Sequence, residues 1–169
     1  FYGKLTNNPQ IKWGIGVVSE ILIDKINILE ATKLAMQKAS KKLKITPEFL
    51  IIDGNFKIPS AITQKSVIKA DEKVFSCTAA GIIAKVTRDR IMQKAHKKFP
   101  QYGFNTHKGY GTALHMEKLQ SFDLTDRSVK ALMQQRYGQH IPLQETVIAP
   151  SAIFNSKKLK MVDSVAGLN

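Results

Sequence analysis

The chain has 169 residues, 43% hydrophobic and 23% charged, which is about one globular domain with a buried core and too short for two. No apolar run approaches the roughly 20 residues that cross a bilayer, and a single cysteine, Cys77, excludes an internal disulfide, so a cytoplasmic protein with no membrane role is expected. A net charge of +13 gathers polyanions and makes nucleic acid the first partner to expect, the alternative being a generally lysine-rich background.

In chain order, residues 11–20 (IKWGIGVVSE) carry Trp, Ile and Val in a short run and read as a strand. Asp24 is placed to cap a helix through about Leu43, with Ile26, Leu29, Leu34, Met36 and Ala39 on its apolar stripe and lysines outside. Pro47 closes the connection, FLII at 49–52 reads as a buried strand, and SVIK at 66–69 as the next. A long helix is predicted from about Lys73 to Phe99, small-residued in SCTAAGIIAK and basic in VTRDRIMQKAHKKF, until Pro100 stops it. YGFNTHKGYGT, 102–112, reads as a loop, followed by a helix over TALHMEKLQSF and another at about 126–137. From Gly138 the signals fade, and a loosely attached tail is expected. The order strand, helix, strand, strand, helix gives α/β or α+β, helices packed on a mixed sheet, with a domain over 1–137 and a tail over 138–169.

Two acidic residues stand where apolar strands end. Asp53 in FLIIDGN is read either as a turn former, because Asp-Gly-Asn needs no function there, or as a catalytic carboxylate. Asp71 in IKADEK follows the next short strand. Whether the two ends meet depends on strand direction, which the sequence leaves open. Brought together in a basic protein, two carboxylates suit Mg²⁺, which completes its shell with water and phosphate oxygen. The chemistry open to such a site is phosphodiester hydrolysis, although a two-ion centre wants further carboxylates.

The ordered set IIDGN, KAD, AAGIIAKVTRDR, FPQYGF and HKGYGTALHMEKL, extended back through INILEATKLAMQKA, resembles ribonuclease HII over roughly residues 11–120. The resemblance implies an RNase H-like fold, four carboxylates with Mg²⁺ or Mn²⁺, and cleavage of the RNA strand of RNA–DNA hybrids or at single ribonucleotides embedded in DNA. It places Asp53 and Asp71 as catalytic, metal-binding aspartates and Tyr110 as the tyrosine beside the ribose, where an aromatic ring senses the 2′-OH. Lys85, Thr87 and Arg88 fall in the AKVTRD helix, facing phosphate or supporting the site, and Asp89 is expected to pair with a neighbouring cation. His107 and Lys108 flank Tyr110, either touching the nucleic-acid backbone or as solvated loop residues.

The chain also departs from that family. No DEAGRG-like stretch occurs, Ala70 and Gly81 replace the usual glycine and serine, and no HRRSF-like segment follows the HKGY helix. VDSVAG at 162–167 and NSKKLK are read as chance likenesses. The resemblance therefore implies that the first strand or strands, with an Asp-Glu pair and a Gly-Arg-Gly loop, are missing ahead of Phe1. Such a chain would turn over weakly or not at all, and its open sheet edge could pair with another copy. The alternative is a non-catalytic nucleic-acid-binding remnant of the same fold.

Overall fold

A computed structural model describes residues 1–121, 149–150 and 152–154. The elements in order are α1 (Tyr2–Thr6), β1 (Ile15–Gly16), α2 (Glu20–Lys41), β2 (Phe49–Asp53), β3 (Thr63–Val67), α3 (Ala70–Lys73), α4 (Phe75–Lys98), a 3₁₀ turn (Pro100–Tyr102), α5 (Phe104–His107), α6 (Ala113–Ser121), β4 (Ala149–Pro150) and β5 (Ala152–Phe154). The architecture is the expected mixed sheet with helices packed on it.

The first predicted strand shrinks to Ile15–Gly16, and glycine rather than Trp or Val explains its position. A Cβ built on Gly16 would stand 1.8 Å from the Ala35 carbonyl oxygen, so β1 rests directly on the backbone of α2. The helix answers with Ala31, Ala35 and Ala39, all fully buried at four-residue spacing. Leu29, placed on the apolar stripe from sequence, is instead exposed.

Asp24 is not the cap. Asn27 breaks the helix with φ 65° and ψ 168°, and its Oδ1 accepts the amides of Leu29 and Glu30 at 3.0 and 3.1 Å. The long stretch is therefore two helical segments, the second capped by Asn27. Replacing Asn27 with alanine should cost about 1–2 kcal/mol, since the cap and the tolerance for positive φ go together. Asn27→Gly should restore most of that in a denaturant titration; equal losses for both would remove the backbone part of the argument.

β2 alternates as a half-buried strand should, with Leu50 and Ile52 buried in a core of Val18, Ile23, Ala31, Ala35, Met36 and Ile58. β3 pairs with it in parallel, from Phe49 opposite Thr63 to Asp53 opposite Val67. Parallel neighbours are usually joined by a helix. Here residues 54–62 make the crossover without one, and the Gln64 side chain ties the loop in: the Ile58 amide donates to Oε1 (2.8 Å) and Nε2 donates to the Ile58 carbonyl (2.9 Å).

β3 starts earlier and ends earlier than SVIK, because Ile68 is 64% exposed and Lys69 turns left-handed at φ 56°. The predicted long helix is α4, which starts after Val74, extended at φ −130°, and a short helix not expected from sequence, α3, precedes it. α4 buries Cys77, Ala79, Ala80, Ile83 and Met92. The predicted loop at 102–112 holds the helical turn α5, and Tyr102 and Phe104 form a core with Met92.

The loosely attached tail is corrected where it is described. β4 pairs antiparallel with β1, Ile15 opposite Pro150, and β5 pairs antiparallel with β2, Phe49 opposite Phe154 and Ile51 opposite Ala152. The stretch thus covers the edge of β2 that β3 leaves open. The helix predicted at 126–137, the lysine patch at 157–160 and VDSVAG at 162–167 lie outside the described residues.

Candidate active face at the strand ends

Parallel pairing decides what the sequence left open, because β2 and β3 finish side by side with Asp53 opposite Val67. Asp53 is exposed at the last position of β2, yet its Oδ1 accepts the Ala70 amide at 2.8 Å. A turn former would bond its own neighbours; this carboxylate reaches the chain beyond the next strand. Lys69, left-handed, bends the backbone into α3, and exposed Asp71 follows Ala70 directly. The Thr78 hydroxyl donates to the Asp71 carbonyl, fastening α3 to α4.

A thiol beneath registers both carboxylates. Cys77 is raised from its ordinary 9.0 to about 11, first by burial, then by the charge of Asp53, with Asp71 adding to it. Because the folded value is the higher one, the neutral thiol favours the fold most below pH 9.0, and that contribution is lost as pH rises towards about 11. Iodoacetamide should therefore label Cys77 slowly at about pH 8 in the folded chain and rapidly in denaturant. Equal rates would place the thiol in solvent.

Tyr110 is 40% exposed, and its ring lies over α4. The Arg88 guanidinium carbon is 4.2 Å from the ring centroid, the Lys85 ammonium is 5.6 Å from it, and Arg88 Nη2 donates to the Lys108 carbonyl at 2.8 Å. Cation and ring hold each other, and positive charge gathers beside the aromatic face.

The polar groups of the remaining predicted site residues bond to the chain's own backbone. The Thr87 hydroxyl is bonded to the Ile83 carbonyl of its own helix (2.8 Å), and the Lys108 ammonium donates to the Asn105 carbonyl. His107 is neither a solvated loop residue nor free to touch a ligand, being 3% exposed and stacked on His115. The expected cation partner of Asp89 is not found among the described residues: its Oδ1 is buried without a hydrogen-bond partner. His115 was missed from sequence; its signal is a second histidine eight positions after His107, astride Tyr110. Gly81 has open space where a Cβ would be, so the family's serine would fit without a clash.

Among the described residues, no group of three or more His, Cys, Asp or Glu comes together in a way that could hold a metal ion. Asp53 and Asp71 lie on segments joined by the bond from the Ala70 amide to Asp53, and two carboxylates are fewer than a two-ion centre wants.

A family model described as ribonuclease HII matches residues 13–137. A ribonuclease HII of Chlamydia caviae is 52% identical over 122 residues, 72% of this chain and 57% of the relative. That of Chlamydia trachomatis serovar L2 is 49% identical over 121 residues, covering 72% and 55%. That of Bacillus thuringiensis is 47% identical over 131 residues, covering 78% and 50%. The chain spans about half the length of these curated relatives. On the matched residues and this level of identity, it belongs to the ribonuclease HII family.

Proposed function

We propose that this chain forms part of an endonuclease that hydrolyses the RNA strand of RNA–DNA hybrids, or cuts at single ribonucleotides embedded in duplex DNA. The bond from the Ala70 amide to Asp53 carries the reading, because it ties the end of β2, which bears Asp53, to the start of α3, which bears Asp71. The pair suits one Mg²⁺ or Mn²⁺, which when bound supplies activation of water and stabilisation of the leaving oxygen. Tyr110 offers its exposed face to the ribose, where an aromatic ring distinguishes RNA from DNA. Lys85 and Arg88 draw the phosphate backbone alongside that ring. Thr87, His107 and Lys108, whose polar groups are engaged within the chain, act as supports.

With two carboxylates grouped, the chain alone cuts weakly or not at all. The test is incubation with a DNA duplex holding one ribonucleotide, in Mg²⁺ and in Mn²⁺. Binding with slow cutting at the ribonucleotide is expected. Cutting at random deoxynucleotides would sink the substrate assignment, and robust turnover would sink the expectation of weak cutting. The second reading, a nucleic-acid-binding remnant without chemistry, is favoured by the missing third carboxylate among the described residues. It predicts binding and no product even with enzyme in excess. No described helix is long and apolar enough to cross a membrane, and a cytoplasmic setting is proposed with the nucleic-acid partner.

A further inference from the structure

The two histidines around Tyr110 are bonded in a way that fixes where their protons sit. His107 Nε2 lies 2.7 Å from the Tyr102 carbonyl, which can only accept, so Nε2 carries a hydrogen. Its Nδ1 receives the Gly109 amide at 2.9 Å, so that nitrogen presents a lone pair. His107 is therefore the neutral Nε2–H tautomer. His115 is the opposite case, with Nδ1 3.0 Å from the Tyr110 carbonyl and hence the donor there. The rings stack with centroids 4.3 Å apart and planes 8° from parallel.

Two of these partners bracket Tyr110: the amide of Gly109, the residue before it, and the carbonyl of Tyr110 itself. Lys108 and Gly109 adopt left-handed conformations in succession (φ 48° and 76°), which brings the Gly109 amide back over the His107 ring. The Tyr110 amide then donates to the His107 carbonyl at 2.7 Å, and the Tyr110 carbonyl meets His115. Phe104, fully buried and edge-on to His107, closes the base. From α4, Arg88 grips the same turn through the Lys108 carbonyl and the Tyr110 ring.

We propose that the stacked His107–His115 pair, with complementary tautomers, is a positioning latch that holds Tyr110 in the orientation which selects a ribonucleotide. Neither imidazole touches the nucleic acid; both act through backbone groups, His107 at Gly109 before Tyr110 and His115 at the Tyr110 carbonyl. The inference rests on the proposed role of Tyr110 and adds the residues that make it selective.

The test compares affinities for two DNA duplexes, one with a single ribonucleotide and one without. His107→Phe keeps the ring and loses both hydrogen bonds, so selectivity should fall about tenfold, roughly threefold for each bond. Binding to the all-DNA duplex should stay within about twofold, since phosphate contacts carry it. His107→Asn, which retains an acceptor near the Gly109 amide, should recover part of the loss. In a Tyr110→Ala background His107→Phe should have no further effect on selectivity, because the latch acts only through the tyrosine. A loss of equal size in that background, or an equal weakening towards both duplexes, overturns the proposal. Long-range proton–nitrogen NMR of the wild-type imidazoles separates this from failure of the functional reading. Protons on Nε2 of His107 and Nδ1 of His115 support the latch, whereas a wild-type chain with no selectivity and those tautomers sinks the ribonucleotide role of Tyr110. Nδ1–H on His107 overturns the latch outright.

Discussion

Asp53→Asn should abolish cutting while leaving the fold intact, whereas Asp53→Ala should damage both. The asparagine keeps an oxygen for the Ala70 amide, and Ala70 is fully buried. The alanine leaves that amide without its partner, a loss of about 1–3 kcal/mol. Charge is what the two variants share in losing. If the carboxylate stabilises the reacting phosphate through a bound cation, either change should reduce cutting by about 10²–10³-fold. Asp71→Asn should match Asp53→Asn in activity. Both should also make the Cys77 thiol easier to ionise, because each removes one of the charges that raise it. The measurements are single-turnover cutting in Mn²⁺, thermal unfolding and the pH profile of alkylation. Unchanged cutting in Asp71→Asn would remove that residue from the mechanism, and equal stability of the two Asp53 variants would demote the bond to Ala70.

The second large effect is structural. Gly16→Ala should destabilise the chain by about 3 kcal/mol, at the upper end for overpacking by one methyl. The new carbon would lie 1.8 Å from the Ala35 oxygen, 2.7 Å from the Ala35 carbonyl carbon and 2.8 Å from the Ala39 amide nitrogen. All three are backbone atoms inside a helix, so no rotamer change relieves the clash. β1 itself must move, and with it the pairing to β4. A fall in midpoint of about 6–12 °C is expected for a chain of this size. Ala35→Gly should not rescue it, since no side chain is at fault. A shift under about 2 °C would mean that β1 is free to slide.

The sequence carried the strand-end carboxylates plainly, because an apolar run that stops at aspartate is a local signal. It also carried the helices α2 and α4, though not the break inside α2. Asn27 interrupts an apolar pattern that continues on either side, so periodicity runs straight through it. The direction of β3 was hidden because residues 54–62 hold no helix, and the Gln64 amide that secures the crossover looks like any polar strand residue. Trp13 and Val17 drew attention to β1, yet both are exposed, and the contact that positions the strand is the absence of side chains at Gly14 and Gly16. Around Tyr110 the turn chemistry was legible and the burial was not. His107 reads as a polar loop residue until Phe104, His115 and the Tyr102 carbonyl are assembled around it. Ala149–Pro150 and Ala152–Phe154 have neither alternation nor length, and only their partners make them strands.

That late strand has a kinetic meaning. Residues 152–154 pair with 49–51 across a separation of about 100 positions, the most distant kind of contact and the slowest to close. During synthesis β2 and β3 can join as soon as both have emerged, while the other flank of β2 waits for residues 152–154. Until then its unpaired amides and carbonyls face any extended segment nearby. The interval between release of β3 and arrival of β5 is therefore when this chain is most exposed to mispairing, and slowing elongation within residues 68–148 should lengthen it.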